Sequence, residues 1–248
     1  MHIKTYLLAG SLAATCLGNP LTTPAPAFCG TPKLSEEQKN EARIQLASVD
    51  VGSSLESRAT INREALMAQL QQINKDFAGS GFNFVLADID WTVNARTLRK
   101  GGYSALNLYF QNGSFGGGYC YFPANAQPGS ETFLQDGCYV SRHAVPGGAA
   151  VGGNEGKVAT HEIGHWLFLY HTFENGCTGA GDEVSDTPAE QVRTSIGSCR
   201  VSDTCPGLPG QDPINNYMTY TVDSCKTQFT SGQIQRMTNA WNRYRAGK

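Results

Sequence analysis

The 248-residue sequence has no surplus of either charge: 19 Lys and Arg stand against 21 Asp and Glu, for a formal net charge of −2 and a pI near 6.2. With no basic stripe to neutralise a phosphate backbone, nucleic acid is excluded as the expected partner. Nor does any stretch reach membrane length. The apolar run from Tyr6 to Leu17 is too short to span a bilayer. With Lys4 ahead of it and small residues after it, the segment from Met1 to about Gly18 reads as a secretory signal peptide, cleaved after Gly18 or after Ala27. The glycine clusters at Gly116 to Gly118 and Pro146 to Gly153 lack the Lys-Ser/Thr of a P-loop, so they read as turns that let backbone pass close to a cleft. Histidine is scarce, with 5 in the chain. Three of them fall between positions 161 and 171.

What is present suffices for one sizeable core, at 40% hydrophobic content. Residues 1–18 are expected to be the leader, 19–58 a pro-segment and 59–248 the main domain. Export puts the cysteines in an oxidising compartment. Of the eight, Cys16 leaves with the leader, and the odd remainder implies one free or intermolecular thiol. Four lie in the Gly- and Pro-rich region after position 171, where bridges would do what a core cannot. Asn112-Gly113-Ser114 is a glycosylation sequon.

Asn19 to Lys33 is a Pro/Thr-rich linker by composition, and Ser35 to Gln38 is a capping box opening a polar helix to about Ala47. Val49 to Val51 suggests a short strand, and the small, polar run on to Arg58 an exposed processing site. Leu66, Leu70, Ile73 and Phe77 follow helical spacing until Gly79. Phe82 to Leu86 and Leu106 to Phe110 alternate as two half-buried strands. Thr230 to Gln233 is a second capping box, and Ile234, Met237, Trp241 and Tyr244 form one apolar face behind it. Helix, strand, strand and helix in this order suggest an α/β layer.

The segment His161-Glu162-Ile163-Gly164-His165 places two imidazoles one helical turn apart, ~6 Å, on one face. They can share a metal ion, with Glu162 beside that face and available to a water. His171 could return as the third ligand if the helix stops in between, and three ligands with one open position make a catalytic rather than a structural zinc site. His143, alone, reads as a hydrogen-bonded structural histidine.

Further stretches go with this one: Leu98 to Tyr103 leading into Leu106 to Tyr109, Pro146-Gly147-Gly148, Thr160, His171-Thr172-Phe173, Gly181 to Pro188, Asn216 to Tyr220 and Phe229 to Gln233. In them the chain, from about Ala65 onward, resembles the metzincin clan of zinc endopeptidases and its pappalysin-like family, especially secreted fungal members. The resemblance implies an α/β (α+β) catalytic domain with a mixed twisted sheet packed on the active-site helix and a disulfide-stabilised C-terminal subdomain. It implies one Zn2+ on His161, His165 and His171, Glu162 as the catalytic base, Met218 as an apolar floor beneath the metal, and Tyr220 as support for the oxyanion. It implies the disulfides Cys120–Cys138, Cys177–Cys205 and Cys199–Cys225. Cys29 is left alone, a candidate cysteine switch removed by cutting near Arg58. Relatives bind Ca2+ near loops like Asp182 to Pro188, where Asp182, Asp186 and Thr187 offer oxygen ligands.

Two positions depart from the pattern. Phe168 stands where metzincins usually carry glycine, and a left-handed Phe costs roughly 1 to 3 kcal/mol. Thr219 stands where Asp is frequent, so the hydrogen bond of that carboxylate is expected to be lost. The function expected is peptide-bond hydrolysis of protein or peptide substrates in the extracellular space. The alternatives are a zinc hydrolase acting on another amide, and a secreted zinc-stabilised binding protein whose catalysis has decayed.

Overall fold

The computed structural model describes residues 1–9, 28–29, 61–91, 99–111, 117–192 and 198–248, with 8–9 and 28–29 as backbone only. The helix expected from Ser35, the strand at Val49 to Val51, the cut near Arg58 and the sequon at Asn112 lie outside the described residues.

Helix α1 (Arg63–Asp76) begins where Asn62 Oδ1 accepts from the Ala65 N–H at 2.9 Å and ends against Gly79, whose φ of 82° suits glycine. Its stripe of Leu66, Leu70, Ile73 and Phe77 is buried. Strands β3 (Asn83–Trp91) and β4 (Leu106–Gln111) follow from the two alternating runs. β4 is not half-buried as expected but buried along its whole length, because it is an interior strand of a mixed sheet. Strands β5 (Gly117–Cys120) and β6 (Cys138–Ser141) pair antiparallel, and β6 runs parallel to β4. With β1 (His2–Ala9) and β2 (Phe28–Cys29) the order among the described residues is β2-β5-β6-β4-β1-β3.

The residues read as a leader supply β1 (His2–Ala9), which lies between β3 and β4 and parallel to both. Ile3, Thr5 and Leu7 are fully buried and alternate with exposed His2 and Lys4. The apolar residues of the expected leader thus also meet the period-two requirement of a strand, which a reading by hydrophobicity alone does not separate. A chain from which these residues are removed lacks β1. Strand β2 (Phe28–Cys29) pairs with Gly117 and Gly118 at the outer edge of β5.

Helix α2 (Glu131–Gln135) is a short connector, and helix α3 (Lys157–Trp166) packs on β5, β6 and α1. Helix α4 (Ser231–Ala240) opens with the expected capping box between Thr230 and Gln233 and continues as a π-helical turn, Trp241–Arg245. Between α3 and α4 the described residues are almost free of regular structure, and Cys177–Cys205 and Cys199–Cys225 staple them. Cys120–Cys138 ties β5 to β6. These are the three pairs that the resemblance implies. No helix among the described residues is long and apolar enough to cross a membrane.

Candidate metal centre and active site

Helix α3 starts at Gly156, where Asp223 Oδ2 accepts from the N–H groups of Glu155 and Lys157 at 3.0 and 3.2 Å. A carboxylate there offsets the positive end of the helix dipole. His161 and His165 share the face expected from their spacing, and both are buried. His161 Nδ1 lies 2.7 Å from the Tyr217 carbonyl and His165 Nδ1 2.7 Å from the Leu169 carbonyl. Those carbonyls place the ring protons on Nδ1 and leave the Nε2 lone pairs pointing at one another. His165 Nε2 stands 3.2 Å from the Nε2 atoms of both His161 and His171.

Three lone pairs facing each other repel unless a cation lies between them. Zinc–nitrogen bonds of about 2.0 to 2.1 Å in a tetrahedron put their nitrogens about 3.3 Å apart, so the donor set fits zinc. Burial pushes His165 down to about 4 and holds His161 well below its usual range, with His165 and His171 adding to the effect on His161. Both are therefore neutral, as ligands must be, across the physiological range. Among the described residues these three alone form a cluster able to hold a metal.

The helix ends at Leu167, and Phe168 takes the left-handed turn itself with φ 78°. The turn closes with the Phe168 N–H on the His165 carbonyl at 2.8 Å and the Leu169 N–H on Gly164 at 2.9 Å. Carrying a Cβ through this conformation costs about 1–2 kcal/mol, yet the turn delivers His171. Beneath α3, Met218 is fully buried against Gly164, where a Cβ would come within 2.4 Å of the Met218 sulfur. The Tyr220 ring stands 5.1 Å from that of His171 and 5.8 Å from that of His161.

Glu162 is fully buried and its side chain lies along β5. A Cβ on Gly118 would meet Glu162 Cγ at 2.8 Å, so this glycine admits the strand to the site. Gly117 and Gly118 thus form a strand rather than the expected turn, although the close approach to the cleft is the one anticipated.

A sequence profile of the pregnancy-associated plasma protein-A family, peptidase family M43, matches residues 103–242. The chain belongs to this pappalysin family. It is 48% identical over 282 aligned positions to extracellular metalloprotease 1 of Coccidioides posadasii, covering all of both chains. It is 42% identical to an extracellular metalloprotease of Colletotrichum graminicola, over 86% of this chain and 85% of that one. Mature mirolysin of Tannerella forsythia, solved with a cleaved peptide, is 25% identical with a TM-score of 0.59, over 73% of this chain and 85% of that one. The chain is accordingly a metalloprotease on a metzincin fold.

Several residues that hold this pappalysin site together were not foreseen. Asp76, at the end of α1, accepts from the Thr160 hydroxyl at 2.7 Å and the Tyr217 hydroxyl at 3.0 Å, joining α1 to α3 and to the methionine turn. Burial raises its pKa. The available signal was an acid on the apolar stripe of α1, three residues after Ile73. Gln233 of the capping box exchanges two hydrogen bonds with Asn216, at 2.8 and 3.2 Å, and Asn216 Oδ1 also receives the Met218 N–H at 2.9 Å. Arg245 is fully buried and grips Asp136 through two bonds of 3.0 and 2.8 Å, behind the end of α3.

Thr219 does not leave its site without a carboxylate. Its hydroxyl donates to Glu190 at 2.5 Å, and Thr172, next to His171, donates to the same oxygen at 2.5 Å. Glu190 comes from a loop with no local pattern and brings a carboxylate to this position from a distance.

His143 is exposed, and its backbone rather than its ring is engaged, accepting from the Ala150 N–H. Asp186 caps α4, accepting from the Thr230 hydroxyl at 2.7 Å and the Gly232 N–H at 2.9 Å. Asp182 is buried and burial pushes its carboxyl up to about 6. The backbone of Cys29 pairs with Gly118, while its side chain lies outside the described residues.

Proposed function

We propose that the protein is a secreted zinc-dependent endopeptidase made as a latent precursor. The observation that carries this reading is the convergence of three buried imidazoles, two of them anchored through Nδ1 to backbone carbonyls, beside a buried glutamate. His161, His165 and His171 hold the ion without offsetting its charge. Bound there, zinc would act as a Lewis acid and lower the pKa of a water to about 7. Glu162 takes the proton from the attacking water and passes it to the leaving amide nitrogen, a contribution of ~10²- to 10⁴-fold. Tyr220 donates to the developing oxyanion.

A substrate peptide joins the outer edge of β5 as an added strand, which lets a chain run past the site on both sides and supports cleavage within it. Strand β2 occupies that edge one residue pair from Glu162, which supports Cys29 as the switch that keeps the precursor silent. On this reading residues 1–18 direct export, 19–58 are the pro-segment and 59–248 the protease. The three disulfides suit an extracellular destination.

Glu162→Gln is expected to retain stoichiometric zinc and lose casein cleavage, and a chelator is expected to silence the unaltered enzyme. Zinc bound without any chelator-sensitive cleavage would instead support the binding-protein reading. A Cys29→Ser precursor as silent as the unaltered one would remove the switch.

A further inference from the structure

Arg236 on α4 reaches the turn between the second and third histidines. Its Nε donates to the Phe168 carbonyl at 2.8 Å, and its guanidinium carbon lies 5.0 Å from the centre of the Phe168 ring and 4.6 Å from that of Tyr170. Glu183 accepts from the other end of the fork at 3.0 Å, which sets the plane of the guanidinium. The grip falls on a non-glycine residue with φ 78°. A right-handed or extended Phe168 would turn its carbonyl away from Arg236, so the bond selects the left-handed form. The next carbonyl, of Leu169, orients His165, and two residues further on stands His171.

We propose that Arg236 is a positioning residue of the metal centre: it holds Phe168 in the left-handed turn and thereby sets the reach of His171 and the anchor of His165. This rests on the assignment of the three histidines as zinc ligands. Arg236 lies outside the cluster of the three histidines, so its effect on them passes through one backbone conformation. Glycine adopts that conformation unaided.

The test is zinc affinity, measured by competition with a chromogenic chelator, in four proteins: unaltered, Arg236→Gln, Phe168→Gly and the double variant. Arg236→Gln is expected to weaken zinc binding about 10- to 100-fold, the range for groups that orient ligands. In the Phe168→Gly background the same change is expected to leave the affinity unaltered. Should Arg236→Gln not fold, Arg236→Lys, which keeps the charge but not the fork, is compared in the same two backgrounds. Full affinity in the Arg236 variants, or an equal loss in both backgrounds, would overturn the proposal alone. Failure of the unaltered protein to bind zinc would overturn the ligand assignment beneath it as well.

Discussion

Around the three histidines each turn of backbone is tied by a particular side chain from elsewhere: Asp76 on Thr160 and Tyr217, Asn216 on the Met218 N–H, Glu190 on Thr172 and Thr219, Arg236 on Phe168. The slot between β3 and β4 is just as buried but is filled by β1 through a backbone ladder and the alternation of Ile3, Thr5 and Leu7. Where three nitrogens must meet at one point, directional polar bonds set the geometry, and each needs one partner in one place. Where only apolar surface must be covered, any strand of the right period serves. The first arrangement is specific and intolerant of change, and the second is degenerate.

The contrast breaks most severely if β1 is taken away. Ile3 and Leu7 alone contribute about 1.5–3 kcal/mol each by burial, and the ladder is lost with them. Against the reading of residues 1–18 as a cleaved leader, this burial predicts that a chain starting at Asn19 melts far below the full-length chain or without a cooperative transition, and equal melting of the two upholds the leader. The N-terminal mass of the active secreted form shows which of the two is the working enzyme.

On the polar side, Asp136→Ala leaves Arg245 buried without its carboxylate. It is expected to cost about 3–5 kcal/mol in chemical denaturation.

The histidines make a comparable demand through pH. In the metal-free protein His165 titrates at about 4 rather than 6.5. As pH falls below 6.5 the unfolded chain takes the proton first, so stability present above that pH declines until about pH 4, where the folded form titrates too. The loss is on the order of 3 kcal/mol, read from melts across this window, and zinc should suppress it.

Asn216→Leu is expected to cost about 1–3 kcal/mol, because it leaves the Met218 N–H and the Gln233 amide without their partner. It should also weaken zinc binding. Leu7→Ile completes the comparison from the tolerant side: in the apolar slot a swap of equal volume should cost less than about 1.5 kcal/mol and leave metal affinity unchanged.

The sequence by itself determined the helical pair His161 and His165, the neighbouring Glu162, the amphipathic stripe of α1, the capping box at Thr230 and the two alternating strands. Each is set by short-range periodicity or local capping, which needs only neighbouring residues. The sequence also offered His171 as a third ligand, and the resemblance added Met218 and the three cysteine pairs. Only the tertiary structure decided that the first residues also fit an interior strand, since leader and strand draw on the same apolar composition. It alone brought Asp76, Glu190 and Arg236 to the ends and turns around the histidines, because a hydrogen bond between distant residues leaves no periodic trace in either segment. It also decided that Phe168 turns left-handed. The strain at that residue is local, and the guanidinium that meets its carbonyl comes from α4.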